Sequence, residues 1–425
     1  MKIFASKTFF LFAWPLFLAT IFNPLHSKEK IVFQHSLEGF LADKLTEITD
    51  TFNKQQNQYQ VTLVYGGNYV DSFDRFIQKE KRGEKKPHLL MVSEFNTPTM
   101  ALKKSSYLPV HTLISRDEND LLDVINAFYS FEDQLASVPF NCSVAVLYYN
   151  RDLFKKVGLP DRAPTTWQEV EAFSEKLVNA GYKGFTTAWP AAYVFEHYCV
   201  VNNLPFAEHN NGFDAPGYES TFLLDSPLHI KRLQKFRDWQ KIGIYSYQGQ
   251  KTVEPEKFFT DGNCGMLFQG ANRYSLLKLN KPAFQIGVGA YPYDQTYTNE
   301  PFAQNVCGTS LWVTTQQEPC EGVKVYLQYL MSLDIQAKWH QLTGYLPVTK
   351  SAYQKTLASG FYEKNQPASV AVQQVLRERK ALPNGIRLKD YAPKRQDLMD
   401  IIEHVVLGKQ SAKVALEGFV NRYRK

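Results

Sequence analysis

An alternation of strand and helix signals in the first hundred residues constrains the fold of this chain most. Short apolar runs with strand character occur at residues 31–33 (IVF), 61–65 (VTLVY) and 89–92 (LLMV). Apolar residues recur at helical spacing over residues 41–52, and a polar helix is predicted over residues 72–81. This βαβ rhythm predicts an α/β fold with a parallel sheet covered on both faces.

The middle and the end of the chain continue the mixed pattern. Residues 144–149 (VAVLYY) predict a strand, and residues 166–169 (TWQE) predict a capping box that opens a helix. Further helices are predicted over residues 228–242, 319–342 and 396–407. No fixed repeat and no Pro/Ser-rich linker interrupts the chain, so two lobes joined by several crossing strands are expected.

The N-terminus predicts export. Lys2 and Lys7 precede an apolar run over residues 8–22, which ends in the small-residue segment 25–27 (LHS), as in a secretory signal peptide cleaved near that point. A membrane anchor needs roughly 20 apolar residues, and both Pro15 and the short run argue against one. No cysteine lies at the processing site, so a soluble protein is expected rather than a lipoprotein.

Composition limits the function classes. A chain of 425 residues exceeds what one hydrophobic core usually organises, which indicates two lobes. Aromatic residues make up 14% of the chain; they suit carbohydrate-like ligands, although most such rings belong to cores. The net charge is +6, but acids interrupt the densest basic run, residues 79–86, so no nucleic-acid partner is expected.

The sequence contains no recognisable catalytic or metal-binding signature. HExxH, GxSxG and GxxxxGK are absent, and residues 287–289 (GVG) lack the third glycine of a dinucleotide-binding loop. No catalytic residue, metal site or cofactor is therefore predicted, and a binding protein is favoured over an enzyme. The odd number of cysteines leaves at least one thiol free or intermolecular, and none of them forms a CxxC pair: Cys142, Cys199, Cys264, Cys307 and Cys320.

Polar and aromatic residues follow several predicted strands, where open α/β sheets bind their ligands. Residues 66–69 (GGNY) follow the second strand, and Ser93 and Glu94 follow the third. Residues 140–143 (FNCS) precede the first strand of the predicted second lobe, at a crossing point. These three segments are the best candidates for a ligand site.

Ten segments together resemble the periplasmic sn-glycerol-3-phosphate-binding proteins of bacterial ABC importers. The similarity covers essentially the whole chain after the signal, which makes it far more specific than any single motif. The segments are residues 35–39 (HSLEG), 67–69 (GNY), 139–143 (PFNCS), 146–150 (VLYYN), 203–207 (NLPFA), 210–214 (NNGFD), 310–312 (SLW), 339–350 (WHQLTGYLPVTK), 360–365 (GFYEKN) and 385–388 (GIRL).

This resemblance implies a two-lobed α/β periplasmic binding protein fold of type II, similar to maltose-binding protein. Its ligand cleft lies between lobes joined by crossing segments. After the signal peptide at 1–27, the N-terminal lobe is expected to comprise residues 28–142 and 307–345, and the C-terminal lobe residues 143–306 and 346–425.

The resemblance also implies a function. The protein is expected to act as a periplasmic monomer that captures sn-glycerol-3-phosphate and delivers it to an inner-membrane permease coupled to an ATPase, with no chemistry on the solute. Carried over position by position, the ligand residues of the family correspond to Tyr69, Glu94, Ser143, Trp189, Gly270, Gly308, Tyr345 and Arg387.

The implied phosphate contacts suit these residue types. Arg387 can supply a bidentate, charge-assisted contact to a phosphate monoester. Ser143 can donate a hydroxyl, and Gly308 can bring a backbone N–H close because it has no side chain. Tyr69 and Tyr345 offer phenolic donors.

Two other residues face the glycerol end in this interpretation. An ionised Glu94 beside a phosphate would repel it by several kcal/mol in a poorly hydrated cleft, so Glu94 is expected to accept hydrogen bonds from the glycerol hydroxyls. Trp189 is expected to form a wall against the carbon skeleton.

Two departures from the family pattern leave the ligand open. Gly270 and Ala192 stand where the family usually has a serine and a second tryptophan. The cleft is therefore expected to be roomier and to accept glycerophosphodiesters such as glycerophosphocholine, with aromatic rings facing the ammonium group. A sugar or oligosaccharide receptor of the same fold is the alternative; a secreted phosphodiester hydrolase would need a nucleophile or metal cluster that the sequence does not show.

Overall fold

The computed structural model describes residues 28–114, 120–315, 321–377 and 385–424. The predicted signal peptide, residues 1–27, and Cys320 lie outside the described residues. Within the described ranges, no helix has the length and apolar character needed to span a bilayer.

The described strands are short and fall into three sheets. In chain order they are β1 (Glu29–His35), β2 (Tyr59–Tyr65), β3 (Leu89–Ser93), β4 (Tyr107–Leu108), β5 (Ser130–Phe131), β6 (Gln134–Leu135), β7 (Val138–Ser143), β8 (Ala145–Asn150), β9 (Lys183–Thr187), β10 (Cys264–Gly270), β11 (Ile286–Ala290) and β12 (Cys307–Thr314).

The described helices lie between these strands in the chain and after the last of them. They are α1 (Gly39–Gln55), α2 (Tyr69–Lys81), α3 (Thr97–Ala101), α4 (Asp123–Tyr129), α5 (Arg151–Lys156), α6 (Trp167–Asn179), α7 (His197–Val201), α8 (Glu208–Asn211), α9 (Pro227–Ile242), α10 (Val253–Thr260), α11 (Tyr274–Leu279), α12 (Glu321–Leu330), α13 (Leu333–Thr343), α14 (Lys350–Ala358), α15 (Phe361–Lys364), α16 (Gln366–Val375), α17 (Tyr391–Val406) and α18 (Ala412–Tyr423). A π-helix, Ala192–Glu196, precedes α7.

The first lobe is built on a mixed sheet in the order β2-β1-β3-β12-β4, with β7 also paired to β12. Strand β1 runs parallel to both β2 and β3, as the βαβ pattern predicted. Strand β12 returns from late in the chain and pairs antiparallel with β3. This pairing brings residues after β3 next to the start of β12.

The second lobe is built on a sheet in the order β11-β8-β10-β9. The predicted strand at 144–149 is confirmed as β8, which lies in the centre of this sheet and is buried along its whole length. Only Val144 separates β7 of the first sheet from β8 of the second. The chain crosses between the sheets again between β11 and β12, which makes the molecule two-lobed.

The predicted start of α6 is confirmed, with one difference. The Thr166 hydroxyl accepts the backbone N–H of Glu169 at 3.1 Å, which caps the helix. The returning carboxylate of Glu169 accepts the N–H of Thr165 at 2.7 Å instead of that of Thr166. The second hydrogen bond of the capping box therefore involves Thr165, one residue earlier than the sequence pattern predicts.

The prediction of one helix over residues 319–342 is wrong. Helix α12 ends at Leu330. A new helix, α13, begins after Ser332, whose backbone carbonyl accepts the N–H of Gln336 at 2.9 Å. The Gln336 side chain donates to the Leu330 carbonyl at 2.8 Å, so it satisfies an end of the preceding helix. The apolar stripe continues across this break, which is why periodicity alone did not reveal it.

Candidate ligand-binding cleft

Two of the predicted ligand residues, Glu94 and Gly308, contact each other at the edge of the first sheet that borders the cleft. Glu94 follows β3, and its carboxylate accepts the N–H of Gly308 in β12 at 2.9 Å. The Glu94 N–H donates to the Gly308 carbonyl at 2.9 Å as well. Gly308 has φ +127°, and a Cβ there would lie 1.8 Å from the Asn141 carbonyl oxygen, so only glycine fits.

Two tyrosines predicted to bind ligand also come together. The phenols of Tyr69, at the start of α2, and Tyr345, after α13, lie beside each other, and each shifts the pKa of the other. Burial raises the pKa of Tyr69 to about 12, and the nearby Glu94 carboxylate adds to the shift. Tyr345 stacks on Trp339 with ring centroids 6.4 Å apart, which fixes its ring. Both phenols therefore remain neutral donors at physiological pH.

A second group of predicted residues lies at the ends of β7 and β10. Ser143 donates its hydroxyl to the Asn272 side-chain oxygen at 3.2 Å. A Cβ on Gly270 would lie 2.7 Å from that oxygen and 3.5 Å from the Ser143 hydroxyl. The missing side chain at Gly270 thus leaves the space that the Asn272 amide occupies.

Trp189 follows β9 in a backbone conformation that bulky residues rarely adopt, with φ +42°. Its indole N–H donates to the Thr252 hydroxyl at 3.1 Å, and its backbone N–H donates to the Gln250 carbonyl at 3.1 Å. In the part of the chain that the structure describes, no hydrogen bond or ring contact joins Trp189 to the other predicted ligand residues. The indole is half-buried against the core of the second lobe.

Arg395 in α17 is a cation of this cleft that the sequence did not single out. Its Nε and Nη2 donate to the Glu196 carboxylate at 2.6 and 3.1 Å. The Tyr391 hydroxyl donates to the same carboxylate at 2.8 Å. Burial opposes the charge of Arg395, but the Glu196 carboxylate outweighs it, so the pKa of Arg395 lies above its ordinary value. Glu94 also interacts electrostatically with Arg395.

These charges line a small cavity between the lobes. Its volume is about 20 Å³, which is room for roughly one water molecule. Residues from both lobes line it: Glu94, Phe95, Phe128, Glu196, Asn305, Val306, Gly385, Ile386, Tyr391 and Arg395. A larger open groove on the outer surface of the second lobe, lined by Lys156, Lys176 and Tyr182, contains none of the predicted ligand residues.

The Glu94 carboxyl is the electrostatically unusual group of the cavity. Burial raises its pKa to about 7, while Arg395 and the Gly308 N–H partly offset that effect and the Glu196 carboxylate adds to it. Near neutral pH the group therefore changes between a carboxylate, which accepts hydrogen bonds, and a carboxylic acid, which can also donate one.

A second arginine–glutamate pair, a half-buried Arg273 with a buried Glu256, lies beside the tyrosines. Arg273 donates through Nε and Nη2 to Glu256 at 2.6 and 2.8 Å. It interacts electrostatically with Tyr345 and Tyr69, and it directly follows Asn272 in the chain. As with Arg395, one edge of the guanidinium is held by a carboxylate while Nη1 makes no hydrogen bond within the described residues.

Arg387 does not line this cavity, although the preceding Ile386 and the hydrogen-bond partner of Arg387, Phe128, do. Its side chain is buried, and Nη2 donates to the backbone carbonyls of Ala127, Phe128 and Ser130 at 2.9, 2.5 and 3.1 Å. The guanidinium carbon lies 4.1 Å from the ring centroid of Phe131. Burial lowers the pKa of Arg387 to about 10, so it stays charged at neutral pH. The expectation that Arg387 faces the ligand is therefore not matched by a contact with the cavity.

No local pattern in the sequence marks Arg395, Glu196 or Asn272 as site residues. Arg395 follows Lys394 in an amphipathic helix, where such a pair usually marks a solvated face. Its partner Glu196 lies about 200 residues earlier, in a segment without a motif. Four cysteines are free thiols, and no group of three metal-ligating side chains forms within the described ranges: the thiols are Cys142, Cys199, Cys264 and Cys307.

Comparison with known proteins places this architecture. Residues 47–367 match the family model of bacterial extracellular solute-binding proteins. The sn-glycerol-3-phosphate-binding periplasmic protein UgpB of Yersinia pseudotuberculosis is 37% identical over 406 residues, which cover 92% of this chain and 91% of that protein. These matches confirm the family resemblance seen in the sequence.

Solved structures confirm the fold. Mycobacterium tuberculosis UgpB in complex with glycerophosphocholine superposes with a TM-score of 0.77 at 19% identity, covering 93% of this chain and 98% of that one. Maltose-bound MalE3 of T. maritima superposes with a TM-score of 0.72 at 17% identity, covering 93% and 99%. The predicted two-lobed fold similar to maltose-binding protein is thus confirmed, and the chain belongs to the family of bacterial extracellular solute-binding proteins.

Proposed function

We propose that this protein is the periplasmic receptor of an ABC importer and captures sn-glycerol-3-phosphate and glycerophosphodiesters between its lobes. It delivers them to the membrane permease as a monomer and performs no chemistry on them. The relatives named as sn-glycerol-3-phosphate-binding proteins at 37% identity support this ligand class. The predicted signal segment at residues 1–27 supports the compartment.

The strongest support for a phosphate-ester ligand is the position of Arg395 in the cavity. Glu196 holds one edge of the guanidinium with two hydrogen bonds, Nη1 makes no hydrogen bond within the described residues, and Arg395 lines the cavity. A positioned guanidinium in a poorly hydrated site is suited to a phosphate oxygen, because its contact is charge-assisted and directional. Arg395 is therefore proposed as the cation that meets the phosphate, in place of Arg387.

Glu94 lines the same cavity and gives the site polarity. Its carboxylate would repel a phosphate but accepts hydrogen bonds from hydroxyls, so it is proposed to hold the glycerol end. Tyr69, Tyr345, Ser143 and the backbone at Gly308 are proposed to complete the set of donors. The Gly308 N–H is engaged by Glu94 in this structure, so ligand and Glu94 would share it or exchange it.

The other two predicted residues affect the size of the ligand. Gly270 leaves room for the amide of Asn272, which is proposed to contact the ligand where a larger residue 270 would otherwise reach. Trp189 forms an aromatic wall of the second lobe, and Ala192 beside it is small. This combination favours a diester with a bulky cationic group over a tightly fitted monoester.

Binding requires the lobes to open. A cavity of about 20 Å³ cannot admit a phosphate ester, so the ligand must enter a more open state and be enclosed by hinge closure. The crossing segments, including Val144 between β7 and β8, are the positions where such a hinge would lie.

Calorimetric titration of the ligand-free protein tests the proposal. sn-Glycerol-3-phosphate and glycerophosphocholine are expected to bind, and maltose is not. Binding of maltose with no response to either phosphate compound would support the alternative sugar receptor. Tight binding of the monoester and none of the diester would reject the diester part of the proposal.

The rival hydrolase is tested with the same material. The protein is incubated with glycerophosphocholine and free choline is assayed. A receptor produces no free choline. More moles of free choline than of protein would identify a phosphodiesterase and contradict the proposal.

A further inference from the structure

Arg387 is anchored in the second lobe. Its backbone N–H donates to the Asn211 carbonyl at 2.9 Å, and the N–H of Lys389 donates to the Tyr218 carbonyl at 2.8 Å. The segment that carries Arg387 thus moves with the loops of that lobe. The side chain is only 6% exposed, so its environment is fixed by packing.

The guanidinium of Arg387 contacts the first lobe. Nη2 donates to the carbonyls of Ala127 and Phe128 in α4 and to that of Ser130 just beyond its end. The last carbonyls of a helix have no partner within the helix, so a cation donor from elsewhere satisfies them. All three acceptors belong to the chain before β7, whereas the donor follows α16.

Rings from both lobes enclose this cation. The guanidinium carbon lies 4.1 Å from the ring centroid of Phe131 and 4.2 Å from that of Phe213. Phe131 belongs to the β5–β6 hairpin, and Phe213 follows α8 in the second lobe. Such a sandwich exists only while the lobes are together, and it favours the planar guanidinium over an ammonium.

Further contacts cross between the lobes beside Arg387. The Asp390 backbone N–H donates to the Thr99 hydroxyl at 2.8 Å. The rings of Phe131 and Tyr218 meet edge to face with centroids 5.6 Å apart. Across the residues that the structure describes, no carboxylate forms an ion pair with Arg387. Its charge is therefore committed to the contact between lobes.

We propose that Arg387 is a closure latch, a positioning residue that holds the two lobes together without contacting the ligand. Opening of the cleft must break the charge-assisted hydrogen bonds that Nη2 makes to three carbonyls, and it must separate the two phenylalanine rings. The latch consequently slows the release of any ligand enclosed between the lobes and favours the closed state of the ligand-free protein. Because these contacts join the lobes and not the ligand, the latch acts in the same way whichever solute is bound.

Arg387→Met tests the latch with two measurements. Dissociation of sn-glycerol-3-phosphate and of glycerophosphocholine, followed by stopped flow, is expected to accelerate by the same factor, about tenfold. Small-angle scattering of the ligand-free variant is expected to show a larger radius of gyration than the wild type. Faster release of the dianionic monoester alone, with an unchanged radius of gyration, would overturn the latch and indicate a direct phosphate contact.

Two further variants complete the experiment. Arg162→Met removes an exposed arginine of the second lobe, which pairs with Glu169 and lies over the Phe173 ring, and is expected to change neither measurement. Thr99→Val removes a partly exposed hydrogen bond between the lobes and is expected to change both in the same direction by a smaller factor. If Arg387→Met does not fold, Thr99→Val replaces it as the test. An unchanged radius of gyration and an unchanged release rate in Thr99→Val would then refute the latch.

The scattering measurement also separates this inference from the proposed function. A wild-type protein that binds neither phosphate compound would contradict the proposed function. The radius of gyration of the ligand-free variants would still decide whether the latch exists.

Discussion

Glu94 and Gly308 exchange two hydrogen bonds at the junction of β3 and β12, one through the Glu94 side chain and one through its backbone, both 2.9 Å long. A residue that follows the third strand is thereby locked to one more than two hundred positions later. The lock places a carboxylate of raised pKa at the cavity where the two lobes meet.

The raised pKa of Glu94 predicts a pH dependence of stability. The folded protein holds the proton of Glu94 more tightly than the unfolded chain does. The stabilisation that this proton gives the folded state is therefore fully present below pH 4.5 and is lost as the pH rises through 7. The free energy of unfolding of the wild type should fall by roughly 2 kcal/mol relative to Glu94→Gln across that window, discounted for partial exposure. Urea denaturation at several pH values measures this difference, and parallel curves for the two proteins would contradict it.

Gly308→Ala is expected to destabilise the protein by at least about 3 kcal/mol. The new Cβ would collide with the Asn141 carbonyl, and the φ of +127° is unfavourable for alanine. Gly418→Ala in α18 is the matched control, since nothing lies within 4 Å of a Cβ there. That control should stabilise the helix by up to about 1 kcal/mol. Equal melting temperatures for both variants would show that the strand pairing is misplaced.

Gly270 and Asn272 should act on the ligand as one unit. Gly270→Ser displaces the Asn272 amide, the far end of a flexible side chain, so stability should change by less than about 0.5 kcal/mol. Gly270→Ser and Asn272→Ala should each weaken binding of the phosphate ester about fivefold, and the double variant should be no weaker than either. Additive losses in a calorimetric double-mutant cycle would show that the two residues act independently.

Glu196→Gln is expected to cost about 3 to 5 kcal/mol of stability, because it leaves the buried guanidinium of Arg395 without its counter-charge. Glu132→Gln removes a carboxylate from an exposed pair with Lys104 and should leave the denaturation midpoint unchanged. Similar midpoints for the two variants would mean that Arg395 is solvated and that the cavity is open to water.

The sequence predicted the first lobe well, because its signals are local. Strand β1, strand β3 and helix α1 were each recognisable from runs or periodicity within about 17 residues. The break at Ser332 was missed because the apolar stripe runs through it, and only the Gln336 contacts reveal the new helix start.

The candidate site was only partly accessible from sequence for a physical reason. Glu94, Tyr69 and Tyr345 lie at strand ends or in a distinctive loop, and the structure brings them together. The pairing of Arg395 with Glu196 depends on how α17 docks on the π-helix, and no local pattern encodes that docking. Arg387, in contrast, lies in a recognisable segment but faces α4.

Titration of wild type and Arg395→Lys with sn-glycerol-3-phosphate tests the central claim most directly. The lysine keeps a positive charge beside Glu196 but cannot hold that carboxylate with one edge and donate to a phosphate with the other. We expect the variant to fold and its dissociation constant to rise at least about thirtyfold, roughly 2 kcal/mol. Unchanged affinity in Arg395→Lys would contradict the assignment of this guanidinium to the phosphate.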